Sequence, residues 1–252
     1  LTIKEGRGFA RRTMDQLRAR RAASAQTAPV GPPSPAPGAM PAIDVQNVHY
    51  AYDGHRALVG LSLTVQTGEF VALMGRNGSG KSTLLKTLVG LLKPDSGRIR
   101  TGGLDTQQAD LDQLVKHVGY VPQHPGSLLF GETLLAELAF TRKSHDMPAG
   151  PAADRALLDE LGLGPVAERD PRDLSGGEQQ RAALAAILVA EPDVILLDEP
   201  TRGLDYVQKR SLAELLLRLR DQGRTIVMAT HDVELAAACA DRVVLLAEGQ
   251  VV

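Results

Sequence analysis

The sequence predicts an α/β fold built on a mainly parallel sheet, and three observations carry that expectation. Short apolar runs rich in valine and isoleucine recur late in the chain, at Val194–Leu197, Thr225–Thr230 and Arg242–Ala247. Their apolarity is continuous rather than alternating, as in strands that helices cover on both faces. A glycine-rich turn joins the run Phe70–Met74 to a strongly apolar helix carrying Leu84, Leu85, Leu88, Val89 and Leu92. After that helix, residues about 105–190 read as mostly helical, with breaks at Pro122, Pro125, Pro148, Pro151 and Pro171, which predicts a helical insertion into the α/β core.

Taken in order, the chain opens on a basic segment in which Lys4, Arg7, Arg11, Arg12, Arg18, Arg20 and Arg21 face only Glu5 and Asp15. Six prolines then fall between Pro29 and Pro41, with Gly31 and Gly38 among them. Such a stretch has little to bury and reads as a linker, so residues 1–41 are expected to be a connector. A start on Leu1 rather than methionine points to a processed or excised piece. Ile43, Val45, Val48 and Tyr50 predict a short strand. Leu61–Val65 and Phe70–Met74 flank Gln66-Thr67-Gly68-Glu69 and predict a β-hairpin.

Composition excludes several classes. With 252 residues, 43% hydrophobic and 23% charged, the chain matches ordinary globular proteins rather than disordered or collagenous ones. One cysteine cannot form an internal disulfide. The longest apolar run, Ala182 to Ala190, is far short of the ~18–20 residues that span a bilayer. The net charge of −2 averages a basic connector against an acidic remainder, which lacks the positive field of a phosphate-backbone binder. No nucleic-acid partner is expected.

The chemistry begins at Gly75-Arg76-Asn77-Gly78-Ser79-Gly80-Lys81-Ser82, which matches G-x-x-x-x-G-K-[ST] between a predicted strand and a predicted helix. Glycines let successive backbone N–H groups wrap an anion, and the following helix aims its positive end at the same point. Lys81 is expected on the β- and γ-phosphates of a nucleoside triphosphate, with the Ser82 hydroxyl in a magnesium position. Val194–Leu197 then delivers Asp198 and Glu199 at a strand end. Alternation sends adjacent side chains to opposite sides, so the two carboxylates are expected to divide the work. Asp198 is the magnesium partner, directly or through water, and Glu199 the general base on the attacking water.

Leu174-Ser175-Gly176-Gly177-Glu178-Gln179 supplies the discriminating feature. Ser175 and Glu178 have the spacing of a capping box. The two glycines cost helix stability there and are not needed for a cap, but they leave a bare helix start with exposed N–H groups, a second anion site. With this segment the sequence closely resembles the ATP-binding cassette (ABC) ATPases over about residues 42–252. The resemblance implies an α/β, P-loop NTPase core with a mainly parallel sheet, an N-terminal antiparallel β-subdomain and an inserted α-helical subdomain at about 105–190. ATP and Mg2+ are the implied cofactors.

Further family marks follow in order. Gln123 in Val121-Pro122-Gln123 looks like the glutamine that reaches magnesium and the attacking water, and Gly203-Leu204-Asp205 like the D-loop. His231 looks like the switch histidine on the γ-phosphate. Tyr52 looks like the aromatic that stacks on adenine, with Tyr50 a substitute. The resemblance thus implies catalysis by Glu199, His231 and Gln123, and magnesium held by Ser82, Gln123 and Asp198. The implied nucleotide-binding residues are Tyr52, Gly75, Asn77, Gly78, Ser79, Gly80, Lys81, Ser82, Thr83, Ser175, Gly176, Gly177, Glu178 and Asp205. It also implies a second cassette as partner, each cradle facing the Ser175-type motif of the other.

Val121–Thr133 followed by Glu137-Leu138-Ala139-Phe140 resembles the same stretch of energy-coupling factor (ECF) ATPases, which power uptake of vitamins and transition-metal ions. Pro200–Tyr206 resembles the D-loop region of tandem, two-cassette members, and Leu1–Arg7 what joins their halves. On that resemblance the chain is the second cassette, held at the cytoplasmic face of the membrane by separate transmembrane subunits. Leu128, Leu129 and Phe130 are either a docking surface for them or ordinary core. The rivals are a soluble cassette acting in translation or DNA repair and a non-hydrolysing scaffold. Arg202-Gly203 before Leu204-Asp205 departs from the Asn-His of the translation factors. Residues 105–190 leave no room for a long coiled coil, and Glu199 and His231 are both present.

Overall fold

The computed structural model describes residues 40–252; the expected basic connector and almost all of the linker lie outside them. The described chain forms two sheets. In the first, β1 (Ile43–Tyr52) pairs antiparallel with β2 (His55–Val65) and with β4 (Ser96–Thr101), which pairs with β5 (Leu104–Asp105). The turn between β1 and β2 is Asp53-Gly54, with φ 44° and 86°. Two positive φ values are what a two-residue hairpin of right-handed twist requires.

The second sheet has β3 (Phe70–Met74), β6 (Val118–Val121), β7 (Val194–Asp198), β8 (Thr225–Ala229) and β9 (Arg242–Ala247) all parallel. A short antiparallel β10 (Gln250–Val251) closes its edge. The order across the sheet is β10-β9-β3-β8-β7-β6. Each interior strand splits its apolar side chains between two cores. Phe70, Ala72, Ile195, Leu197, Ile226 and Met228 belong to one, and Val71, Leu73, Val194, Leu196, Val227 and Ala229 to the other. Burial on both faces is the reason these strands read as unbroken apolar runs.

The helices are α1 (Lys81–Leu88), α2 (Leu111–Val115), α3 (Leu134–Ser144), α4 (Pro151–Glu160), α5 (Gly176–Leu188), α6 (Tyr206–Asp221) and α7 (Val233–Cys239). α1 and the first sheet enclose one core; α3 to α7 pack on the other. Cys239, the chain's one cysteine, is fully buried there. No helix among the described residues is long and apolar enough to cross a membrane.

Two sequence expectations change. Leu61–Val65 and Phe70–Met74 do not form a hairpin: the Gln66–Glu69 turn carries the chain from the first sheet into the second, and β2 pairs with β1 instead. Glu69 holds that crossing. It accepts from Gln66 N–H (2.8 Å) and ion-pairs with Arg242 (2.7 Å) while 2% exposed. The stretch 105–190 contains α2 to α5 but also β6, hydrogen-bonded to β7 as a member of the main sheet.

Candidate active site

The glycine-rich turn follows β3, deep in the sheet, and ends where α1 begins. Gly80 is the N-cap of α1, with φ 103° and no side-chain cap. A β-carbon on Gly80 would lie 2.6 Å from the Ala57 carbonyl oxygen, so only glycine lets β2 approach this closely. The helix start is left with donors that no protein side chain claims. Lys81 bends back over the turn, its Nζ donating to the carbonyls of Gly75 (2.8 Å) and Arg76 (3.2 Å). Ser79 Oγ is buried without a partner.

Across from this turn stands the end of β7. Asp198 is 3% exposed and Ser82 hydrogen-bonds to it. Burial, aided by the charge of Glu199, pushes the Asp198 carboxyl up, against the opposing pull of Ser82 and Lys81. Glu199 leaves the strand with φ 52°, a left-handed backbone costly for a non-glycine residue and typical of functional sites. It is held by its own N–H donating to Ala229 O (2.9 Å) and by Arg202 N–H donating to its carbonyl (3.1 Å). This backbone overrides simple alternation: Asp198 and Glu199 line the same cleft. What separates them is their partners. Glu199 Oε2 lies 2.7 Å from His231 Nδ1; an ionised carboxylate there accepts from Nδ1–H, which leaves Nε2 free of this bond.

The cleft has a volume of about 540 Å3 and is lined by Tyr52, His55, Arg56, Ala57, Asn77, Gly78, Gly80, Lys81, Ser82, Thr83, Gln123, Asp198 and Glu199. Of the two candidate tyrosines, Tyr52 faces it. Tyr50 packs on the core and meets Tyr52 edge-on, ring centroids 4.8 Å apart. His55, Arg56 and Ala57 went unread in the sequence. The Asp53-Gly54 turn, a strong hairpin signal, would have placed them opposite Tyr52, because the register pairs Tyr52 with His55.

Ser175, Gly176, Gly177, Glu178 and Asp205 do not line the cleft. Ser175 caps α5: its Oγ accepts from Glu178 N–H (3.4 Å), while Glu178 Oε2 accepts from Ser175 N–H (2.8 Å) and Oγ–H (2.6 Å). Asp205 caps α6 in the same manner with Gln208. The two caps are neighbours, for a β-carbon on Gly177 would lie 3.3 Å from the Gly203 carbonyl.

The donor set fits a polyphosphate: a helix start without a cap, an ammonium poised over it and an unpartnered buried hydroxyl in the loop. Ser82 and Asp198, bonded to each other beside it, are hard oxygen ligands of the kind Mg2+ takes. A second concavity, about 330 Å3, is apolar and lined among others by Val89, Leu91, Leu111, Leu128, Phe130 and Phe140. Leu129 is core, whereas Phe130 is 79% exposed at the rim. Glu137, itself buried, pins this loop by accepting from the N–H groups of Phe130 and Gly131, both at 2.6 Å.

Comparison with known proteins follows the same lines. The family described as ABC transporter matches residues 58–202. A putative ABC transporter ATP-binding protein of Streptomyces coelicolor is 49% identical over 224 residues, covering 89% of this chain and 39% of that protein. The nickel import ATP-binding protein NikO of Rhodobacter capsulatus is 42% identical over 222 residues, covering 84% and 87%. Among solved structures, the dimeric post-hydrolysis state of the cassette MJ0796 bound to ADP and phosphate superposes with TM-score 0.75 at 32% identity, covering 83% of this chain and 96% of that one. CbiO1 from Clostridium perfringens, part of the complex cbiONQ, gives 0.72 at 32%, covering 84% and 87%. The chain spans less than half the length of the first curated relatives it matches.

Proposed function

From the premise that the chain belongs to the ABC transporter family of ATP-binding cassettes, we propose that it binds and hydrolyses ATP in an importer of the ECF type. The observation that carries this reading is the convergence of Lys81, Ser82, Asp198 and Glu199 on one cleft, with His231 bonded to Glu199. Backbone N–H groups at the start of α1 and the Lys81 ammonium hold the phosphates and offset their charge. Tyr52 stacks on the base. Ser82, Asp198 and Gln123 hold Mg2+, which when bound supplies charge neutralisation at the phosphates. Glu199 takes the proton of the attacking water, and His231 keeps its carboxylate aimed while offering Nε2 toward the γ-phosphate.

Ser175, Gly176, Gly177, Glu178 and Asp205 serve a second cassette. Set apart from the cleft in one chain, they complete the cleft of the partner when two cassettes meet face to face, and hydrolysis releases the pair. The apolar groove beneath Phe130 seats a membrane subunit, because an exposed apolar concavity with an exposed aromatic at its rim marks a protein-interaction site. Import of a metal ion is favoured by the likeness to a protein named for nickel import, with a vitamin the alternative cargo of ECF-type importers. That the chain is one cassette of a tandem protein is favoured by relatives more than twice its length; that it is the second rests on the resemblance of Leu1–Arg7 and Pro200–Tyr206.

The test is phosphate release by the purified chain and by Glu199→Gln. Retained ATP binding with lost release supports the assignment, and near-normal turnover sinks it. The importer reading is checked by co-purifying the full-length chain with its membrane subunits: Phe130→Asp is expected to lose them, and undiminished recovery refutes the groove as their seat.

A further inference from the structure

The turn between β9 and β10, Glu248-Gly249, touches both walls of the cleft. Gly249 N–H donates to the Ser79 carbonyl (3.2 Å), and Val59 N–H of β2 donates to the Gly249 carbonyl (3.0 Å). β2 is the edge strand of its sheet, and no residue of β1 stands opposite Val59; this N–H is spent on the turn. The close approaches are backbone to backbone. A β-carbon on Gly249 would lie 2.7 Å from the Ala57 carbonyl oxygen, the same atom that excludes a side chain at Gly80, and a β-carbon on Gly75 would lie 2.2 Å from the Leu246 carbonyl oxygen. The wall that carries Arg56 and Ala57 and the loop that carries Ser79 and Gly80 meet directly at Ala57 and Gly80, and the β9–β10 turn bridges them a second time.

We propose that the Glu248-Gly249 turn is a positioning element for nucleotide binding: it sets the spacing between the β2 wall and the phosphate loop. The inference rests on the reading of this cleft as the ATP site. A ligand that spans both walls needs that spacing, whereas an inorganic polyphosphate, seated in the loop alone, does not. Gly249 is the residue that permits the contact, since its φ of 78° and the nearby Ala57 carbonyl both exclude a side chain.

Isothermal titration of ATP and of inorganic tripolyphosphate tests it. Gly249→Ala is expected to weaken ATP by about tenfold or more, the scale of one well-placed hydrogen bond to a charged ligand, and tripolyphosphate by less than about threefold. Gly223→Ala is the control: its φ of 90° carries the same backbone penalty with nothing nearby to strike, and neither ligand is expected to change. Val59→Pro removes the N–H that donates to the Gly249 carbonyl and carries the test if Gly249→Ala does not fold; a loss in the same direction is expected. Unchanged ATP binding in both variants, or equal loss of both ligands, overturns the positioning role. If the unaltered chain binds neither ligand, the reading of the cleft falls and the inference with it.

Discussion

The starts of α1 and α5 are both backbone donors at a helix N-terminus, yet the chain treats them in opposite ways. α1 begins at a glycine with no side-chain cap and no acidic residue in its first turn. α5 begins in a completed capping box whose carboxylate, Glu178, accepts two hydrogen bonds from Ser175. Those bonds hold the Glu178 carboxyl below its usual range, so a negative charge is fixed at the place where an anion would arrive. The first helix start is an open receptor. The second is already satisfied by its own capping box, and on the proposed reading it would take an anion only when a partner delivers one together with compensating charge. On the proposed two-cassette reading, that contrast is the reason one chain would present half of each site.

Four experiments bear on the contrast, the largest effect first. Glu199→Gln removes the base from the open site, and steady-state phosphate release is expected to fall by roughly 10²–10⁴-fold while ATP affinity persists. Ser175→Arg places a bulky cation at the closed site. Turnover is expected to drop on the order of a hundredfold, with ATP affinity unchanged and the thermal melt lowered only by the few degrees that loss of the Ser175 cap costs; a matching loss of affinity would erase the distinction between the two helix starts.

Asp198→Asn bears on the cost of the open site. Burial raises the Asp198 carboxyl, so its ionised form is disfavoured in the folded chain. Stability from this group is greatest below the ordinary carboxylate range and declines as pH rises through the raised value, staying low above it. Urea unfolding in a chelator at neutral pH is expected to show Asp198→Asn about 1 kcal/mol more stable than the unaltered chain, an advantage absent near pH 3. Glu178→Gln bears on the closed site with the opposite sign. A depressed carboxyl contributes stability above its unfolded value and loses it as pH falls through the folded one. The variant is expected to lose about 0.5 kcal/mol at neutral pH and nothing in acid.

Much of the cleft was legible because its residues lie close together in sequence and carry fixed backbone demands. The run Gly75–Ser82 and the strand into Asp198-Glu199 are where the spacing put them, and the capping box is as the S-x-x-E spacing implied. Sheet membership is what local patterning does not carry. Periodicity says that a segment is a strand but not which sheet it joins, so it pairs Leu61–Val65 with its neighbour in sequence rather than with β1 and absorbs β6 into a helical stretch. The convergence of Asp198 and Glu199 escaped alternation because it depends on one residue's left-handed backbone, φ 52° at Glu199. The role of Glu69 as a buried tie to Arg242 spans 173 residues and no local pattern announces it.

The lone thiol gives the chain a built-in clock. Cys239 is fully buried, its Sγ 4.0 Å from the Ala213 carbonyl on α6. A thiol reagent in solution therefore waits for α6 and α7 to part. α7 starts from Asp232, whose carboxyl caps the helix and is gripped by Lys209, one residue beyond His231. The rate of labelling counts how often the histidine's own scaffold opens, and a ligand that binds only the folded chain slows that count by the factor by which it stabilises the fold. Occupancy of the cleft can thus be timed at a single sulfur, without a label attached anywhere near it.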